Sequence, residues 1–263
     1  MPMYDMPEVR KALDSLWRGF ARNAQREGLS DIPKGLVHGR PLDQLWNDPD
    51  LWFSQCCGYD LVNGQAGRLV PIAVPRYGAP ECDGSDYASV IVVHEGNEAN
   101  CVLEMRGAVC VINGPDSHSG MNALRALIAP VSSRRIFFSQ VKVSGTHADS
   151  LDMIKRGEAE VAAIDCVTFA LLGRYRPDAL SGIRKLGRTY WAPGIPYVTR
   201  ATLAEDTIDR IRAAVFRTFA DPSLATVRQA LLLQGVDEIH LSEYKRIKWF
   251  QKLSAEHEFA MVT

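Results

Sequence analysis

Two short segments of the sequence combine small hydroxyl residues, glycine and histidine, which together can bind an anion through neutral donors. In sequence order their members are Ser117, His118, Ser119 and Gly120, then Ser144, Gly145, Thr146 and His147. Histidine and the hydroxyls can donate hydrogen bonds to an oxyanion. Glycine lets the ligand approach the backbone closely. We therefore predict that both segments contact a small oxyanion.

Each segment follows a predicted strand and begins a predicted helix. The first N–H groups of a helix lack intrahelical acceptors, and the positive end of the helix dipole favours a negative charge there. An alternative interpretation is that Ser117 and Thr146 serve only as helix N-caps, because every helix needs one. Two such turns in consecutive strand–helix units favour the binding interpretation for the pair.

Further polar residues follow other predicted strands. Asp165 comes directly after an apolar strand and is either an N-cap or an acceptor for a protonated oxygen or an ammonium group of the ligand. The second role would provide selectivity, because a carboxylate repels a fully ionised anion. Tyr4, Gln55 and Tyr77 are candidates for a facing wall of the binding cleft, although a tyrosine in such a position is more often simply a packing residue.

Several kinds of catalytic or metal site are excluded by spacing. No C-x-x-C, H-x-x-x-H or H-E-x-x-H pattern occurs, so no metal site is predicted, and the Walker loop and the G-x-G-x-x-G fingerprint of nucleotide cofactors are absent. Gly114 lies three residues before Ser117, which does not fit a nucleophile elbow. We predict a non-catalytic protein without a cofactor. The alternative is an enzyme that uses His147 as a base with Cys57 or Ser117 as the nucleophile.

The composition is that of an ordinary globular protein, with 46% hydrophobic residues in a chain of 263. Lys and Arg number 30 against 31 Asp and Glu, so a nucleic-acid partner is not expected. Among six cysteines, Cys57 and Cys82 flank turns and could pair in an oxidising compartment. No apolar stretch reaches the length of a membrane span. The residues after Met1 do not resemble a secretion signal, so we expect a cytoplasmic protein if the natural chain starts there and an exported one if a signal was removed.

The apolar periodicity predicts an α/β fold. Helices are predicted at 6–26, 42–46, 119–129, 147–156, 166–175, 203–220, 223–233 and 242–256. Strands are predicted at 35–37, 51–54, 69–74, 87–94, 108–113, 137–143, 160–164, 183–190 and 195–200. The regular alternation after residue 108 favours a parallel sheet, in which ligands bind at the carboxyl ends of the strands.

The chain contains, in this order, the segments QCCGYD, VPRYGAPECDGSDYASVIVV, INGPDSHSGMNALR, VSGTHADSLDMIKRGEAEVAAIDC and PGIPYVT. Together these segments resemble the phosphate, phosphite and phosphonate-binding receptors of ABC transporters. The resemblance implies a type II periplasmic-binding fold, in which two lobes, each a mostly parallel sheet flanked by helices, are joined by two crossing strands. We place the lobes at 1–92 with 196–263, and at 93–195.

The same resemblance implies a function. A small tetrahedral oxyanion would be captured between the lobes for an ABC transporter permease, in the periplasm. By motif, the oxyanion would contact Ser117, His118, Ser119, His147 and Asp165, although histidine is not the family's commonest residue between the two serines. A cytoplasmic oxyanion sensor or scavenger is the alternative if the natural chain begins at Met1.

Overall fold

The computed structural model of the chain describes residues 1–132 and 136–256. Its strands are β1 (Ser54–Gln55), β2 (Leu69–Tyr77), β3 (Cys82–Asp83), β4 (Asp86–Tyr87), β5 (Ser89–His94), β6 (Val109–Ile112), β7 (Gln140–Val143), β8 (Val161–Asp165), β9 (Ile183–Arg188), β10 (Ala192–Pro193), β11 (Tyr197–Arg200) and β12 (Leu233–Asp237). Its α-helices are α1 (Arg10–Arg26), α2 (Leu42–Trp46), α3 (Gly58–Val62), α4 (Ala123–Ile128), α5 (His147–Lys155), α6 (Cys166–Tyr175), α7 (Glu205–Ala220), α8 (Ala225–Ala230) and α9 (Lys245–Glu256). A π-turn covers His118–Asn122, and short 3-10 helices cover Pro2–Tyr4, Pro7–Val9, Val102–Met105, Ala129–Val131, Pro177–Leu180, Pro222–Leu224 and Leu241–Tyr244.

The chain divides into two compact units. The first contains Met1–Gly78 and Pro193–Tyr244, and the second contains Ala79–Ala192 and the chain from Lys245 onward. The chain therefore passes from one unit to the other three times, where two crossing strands were expected. The expected boundary at residue 92 falls inside β5, which belongs to the second unit because it pairs with β8 and β9. Helix α9 groups with the second unit because it packs against α4.

The first unit has a four-stranded sheet with the order β1-β11-β2-β12. All of its three pairings are antiparallel, which differs from the mostly parallel sheet expected in each lobe. The apolar run of β2 is buried along most of its length, and such a run does not reveal the direction of its neighbours. Helix α1 buries Leu13, Leu16, Trp17 and Phe20 on one side and packs along α7.

The second unit has a five-stranded sheet with the order β7-β6-β8-β5-β9. Strand β6 runs parallel to β7 and β8, whereas β5 is antiparallel to both β8 and β9. The carboxyl ends of β6, β7 and β8 consequently lie at one edge of this sheet. The π-turn, α5 and α6 begin after these three ends, so the helix starts predicted to bind an anion share that edge.

Most predicted elements are present, with three exceptions in the first unit. Of the strand predicted at 51–54, only Ser54 lies in a strand, β1. Residues 35–37 form no strand, because this Gly-containing segment is irregular. The helix predicted at 223–233 ends at Ala230, and Leu232 adopts a positive φ of 57° before β12 begins. Three consecutive leucines fit a helix and a strand equally well, which explains why β12 was not predicted.

The structure contains no disulfide among the six cysteines, all of which lie in its described residues. Cys57 and Cys82, whose pairing seemed feasible from the sequence, belong to different units. Cys82 instead lies beside Cys166, with 3.5 Å between the two Sγ atoms. Within the described ranges, no helix has the length and apolar character that crossing a membrane requires.

Candidate functional site

The turn after β6 is organised by Ser117. Its backbone is extended, and its Oγ accepts a hydrogen bond of 3.0 Å from the backbone N–H of Gly120. The Oγ atoms of Ser117 and Ser119 are 3.4 Å apart. The turn is wider than an α-helical turn because residues His118–Asn122 form a π-turn, a feature that is common at functional sites. Ser117 is thus an N-cap that also lies next to a second hydroxyl.

Ser119 connects this turn to the start of the next helix. Its Oγ lies 2.9 Å from Nε2 of His147, the first residue of α5. Its carbonyl oxygen accepts a 2.8 Å hydrogen bond from the Oγ of Ser89 in β5. The two segments predicted to act together are therefore joined by a direct side-chain contact.

The imidazole of His147 is neutral at physiological pH. Burial lowers its pKa from 6.5 to about 4, because desolvation disfavours the charged ring. Its Nδ1 is buried and has no hydrogen-bond partner among the described residues. A Ser–His contact is present, but no carboxylate in the described chain orients the second nitrogen.

Glycine is required at position 120 because the side chains around the π-turn leave no space for a Cβ atom. A Cβ atom placed there would overlap the side-chain oxygen of Asn113 and approach its Cγ to 3.0 Å. It would also lie 3.3 Å from Cε1 of His147. The glycine therefore allows Asn113, the turn and His147 to pack together.

We expect Gly120→Ala to lower the free energy of unfolding by about 1 to 3 kcal/mol, because the added methyl group must displace Asn113 or the turn. Urea denaturation measures this change. Gly114→Ala is the matched control, since its Cβ would meet only Asp116, at 3.8 Å. We expect the control to change the stability by less than about 0.5 kcal/mol. Equal effects of the two substitutions would contradict the packing role of Gly120.

The remaining residues of the second turn hold its shape. Thr146 is the N-cap of α5, and its Oγ1 accepts a 3.1 Å hydrogen bond from the N–H of Asp149. The Oγ of Ser144 donates to the carbonyl of Thr146 over 2.9 Å. Gly145 has a positive φ of 94°, which glycine adopts without strain. The hydroxyls of Ser144 and Thr146 are thus engaged in local hydrogen bonds.

Asp165 ends β8 and caps α6. Its side chain is 2% exposed, and Oδ1 accepts a 2.8 Å hydrogen bond from the N–H of Thr168. In the sheet it pairs with Ser89, the residue whose hydroxyl binds the carbonyl of Ser119. The carboxylate therefore lies close to the π-turn, at the edge of the sheet where three helices begin.

His118 is enclosed by the second unit. The residue is 1% exposed, and its ring lies 4.9 Å from that of Phe250 in an edge-on arrangement. Nδ2 of Asn122 donates to Nδ1 over 3.0 Å, whereas Nε2 has no partner among the described residues. Burial lowers the pKa of His118 to about 3, so this ring is also neutral.

The three residues predicted in the first unit form their own polar group. Nε2 of Gln55 donates to the hydroxyl of Tyr77 over 3.3 Å, and the rings of Tyr4 and Tyr77 meet edge to face with their centroids 5.2 Å apart. Gln55 is 2% exposed and lies in β1. These three residues therefore lie together, and their role toward a ligand stays a prediction.

Three residues near the π-turn were missed by the sequence analysis. Asn113 packs against Gly120, Ser89 binds Ser119, and Asn122 binds His118. The position of Asn113 directly after an apolar strand could have identified it from the sequence. The positions of Ser89 and Asn122 could not have identified them, since each lies inside a regular element. The described residues contain no group of three or more histidines, cysteines or carboxylates that would suit a metal ion.

Comparison with known families identifies a match over most of the chain. Residues 50–244 match the family described as the periplasmic substrate-binding protein of phosphonate ABC transporters. This match covers most of the chain and includes both turns and Asp165. No curated protein matches the sequence.

Several solved structures share the fold at low sequence identity. PhnD1 from Prochlorococcus marinus (MIT 9301), in complex with methylphosphonate, has a TM-score of 0.74 at 13% identity, and the alignment covers 95% of this chain and 94% of that one. A binding protein component of an ABC phosphonate transporter from Pseudomonas aeruginosa (PA3383) has a TM-score of 0.73 at 12% identity, with 98% and 85% covered. XAC2383 from Xanthomonas citri, bound to ATP, has a TM-score of 0.68 at 14% identity, with 95% and 94% covered. These likenesses confirm the expected two-lobed α/β fold of type II periplasmic binding proteins.

Proposed function

Because the chain belongs to the family of periplasmic substrate-binding proteins of phosphonate ABC transporters, we propose that its second unit binds a small tetrahedral oxyanion of the phosphonate, phosphite or phosphate class. The observation that carries the proposal is the 2.9 Å contact between Ser119 Oγ and His147 Nε2, which joins two helix starts at one edge of the sheet. The bound anion would then be delivered to an ABC-type permease. The family acts in the periplasm.

The direction of the hydrogen bonds follows from the charge of the ligand. The ionised oxygens of the ligand only accept hydrogen bonds, so the hydroxyl hydrogen of Ser119 must point toward one of them. Nε2 of the neutral His147 ring then carries the proton and donates to Ser119 Oγ. Ser117 lies beside Ser119 and provides a second hydroxyl, and the helix starts add N–H groups and a favourable dipole. The site binds negative charge without a formal positive charge.

Asp165 supports selectivity in this proposal. A buried carboxylate close to the π-turn disfavours an anion that carries no proton, whereas it accepts a hydrogen bond from a protonated ligand oxygen. Phosphate and phosphonates can retain one proton near neutral pH, but sulfate cannot. We therefore assign to Asp165 the discrimination against sulfate.

The other residues predicted to bind the ligand are not assigned a direct contact with the oxyanion in this proposal. Ser144, Gly145 and Thr146 hold the start of α5 so that His147 reaches Ser119. His118 holds the π-turn against α9 through its contact with Phe250. Tyr4, Gln55 and Tyr77 form a separate group in the first unit, and their contact with a ligand stays a prediction.

The Ser119–His147 contact resembles the nucleophile and base of a hydrolase, so catalysis is the second candidate function. A general base is most effective when its pKa lies near the working pH, and that of His147 is lowered to about 4. The described residues also provide no carboxylate for its Nδ1. Of the two nucleophiles expected from the sequence, Cys57 belongs to the first unit, and Ser117 contacts Ser119 rather than His147 in the described hydrogen bonds. These observations favour a non-catalytic binding protein.

Isothermal titration calorimetry with methylphosphonate, phosphite, phosphate, sulfate and ATP tests the proposal. We expect saturable binding of at least one of the three small phosphorus anions and none of sulfate. Asp165→Asn should narrow the difference between phosphate and sulfate, because the repulsive charge is removed. ATP is included because the similar XAC2383 structure contains it. Heat from ATP alone, or from none of these compounds at millimolar concentration, would refute the proposal.

A further inference from the structure

Two thiols of the second unit lie side by side at the start of α6. The Sγ atoms of Cys82 and Cys166 are 3.5 Å apart, and Cys166 is the residue after Asp165. A disulfide bond has a length of about 2.05 Å, so the sulfur atoms must approach by roughly 1.5 Å. Side-chain rotation can provide a movement of this size.

The backbone holds the two cysteines close together. Cys82 pairs with Tyr87 across the β3–β4 hairpin, and the N–H of Ala88 donates to the carbonyl of Glu81 over 3.0 Å. The next residue, Ser89, pairs with Asp165 in the five-stranded sheet. The hairpin therefore leads directly into the strand that lies beside the start of α6.

We propose that Cys82 and Cys166 are a reversible disulfide site that fastens the β3–β4 hairpin to the start of α6. This inference does not depend on the oxyanion ligand, because it is based on the short distance between the two thiols. The sequence led us to consider a pairing of Cys57 with Cys82, and not the pairing of Cys82 with Cys166. The family acts in the periplasm, and disulfides form and persist in that compartment.

The difference in exposure between the two cysteines suggests the order of the reaction. Cys82 is half-buried, whereas Cys166 is 1% exposed. The thiolate of Cys82 attacks a small-molecule disulfide, forms a mixed disulfide and releases one thiolate. The sulfur of Cys166 then attacks Cys82 Sγ and displaces the second small thiol, which takes up the proton of Cys166. Two protein S–H bonds are replaced by one S–S bond, and the external disulfide is reduced to two thiols.

The reactivity of Cys166 agrees with a resolving rather than an attacking role. The neighbouring Cys82 thiol, burial and the Asp165 carboxylate raise the pKa of the Cys166 thiol above its ordinary value. Little thiolate is therefore present at Cys166 until Cys82 has reacted. The mixed disulfide brings the leaving group next to Cys166, which makes the second step intramolecular.

Glutathione disulfide serves as the oxidant in a test on the full chain. After incubation, the protein is denatured in acid, its remaining thiols are alkylated, and its disulfide-linked peptides are sequenced by mass spectrometry. We expect two of the six thiols to resist alkylation and a linked peptide that joins Cys82 to Cys166. Dithiothreitol should restore both thiols.

Matched variants identify the pair. Cys101→Ser removes an exposed cysteine that lies on the same tryptic peptide as Cys82, and it should leave the cross-link intact. Cys82→Ser should abolish the cross-link. The proposal would be overturned by six alkylated thiols in the oxidised wild type, by a glutathione adduct that persists on Cys82, or by a link from Cys82 to Cys101. These three results are measured on the wild-type protein, so the test is valid even if a variant fails to fold.

Discussion

Ser119→Ala should weaken the binding of methylphosphonate by about 5- to 150-fold, which corresponds to about 1 to 3 kcal/mol. The substitution removes the hydroxyl that is proposed to donate to the anion. It also leaves Nε2 of His147 without the acceptor that lies 2.9 Å away. Calorimetric titration of wild type and variant measures the effect, and thermal unfolding of both proteins tests whether the fold is retained.

Ser132→Ala is the matched control for this substitution. Ser132 is a fully buried serine of the second unit, and its Oγ donates to the carbonyl of Ala129 over 2.9 Å. Removal of this hydroxyl should leave the affinity for methylphosphonate within about twofold of wild type, because it lies outside the two turns. Unchanged affinity of Ser119→Ala would assign Ser119 to local structure instead of ligand binding.

The stability of the protein should fall steeply as the pH decreases from 6.5 to 5. Burial lowers the pKa of His118 to about 3 and that of His147 to about 4, whereas both side chains titrate near 6.5 in the unfolded chain. In this pH range the unfolded state binds protons that the native state does not, so acid favours unfolding. At pH 5 each histidine should reduce the free energy of unfolding by about 2 kcal/mol relative to its value well above pH 6.5, and the two together by about 4 kcal/mol. This contribution to stability is fully present only at about one pH unit or more above 6.5.

Urea denaturation at a series of pH values measures this dependence. His118→Phe should lose about half of the pH dependence, because His147 is then the one remaining histidine of the described residues whose pKa is lowered by desolvation. It will also lower the stability at every pH, since Asn122 loses its acceptor, but that loss does not change the slope. His240→Gln is the control, because His240 is exposed and its substitution should preserve the slope. A wild-type stability that is constant between pH 5 and 6.5 would contradict neutral, buried histidines.

Much of the fold could be predicted because its strongest signals are local. The apolar periodicity of α1 and the alternation of strands and helices from β6 to α6 can be read directly from the chain. Strand direction in the first unit was not predictable, because β2 and β11 are distant in sequence and a buried strand does not reveal the direction of its neighbours. The boundary between the units was misplaced for the same reason, since β5 groups with the strands that it pairs with.

The candidate site was predicted in outline but not in its contacts. The sequence indicates that Ser117 and Thr146 begin helices, and the structure confirms both N-caps. Adjacent residues of the π-turn point in different directions, so Ser119 reaches His147 while His118 turns toward Phe250. Periodicity arguments assume regular helices, and the wider π-turn changes which side chains share a face. Only the three-dimensional structure could separate the roles of these neighbours.

The central claim is that the two turns of the second unit hold the oxyanion. The most direct test is an NMR titration of the isotopically labelled full chain with methylphosphonate, which follows backbone amides and histidine ring nitrogens. We predict the largest amide shifts at Ser117–Gly120 and at the start of α5, and a neutral His147 ring with its proton on Nε2 in the complex. Shifts confined to other residues, with these two turns unaffected at saturating ligand, would contradict the claim.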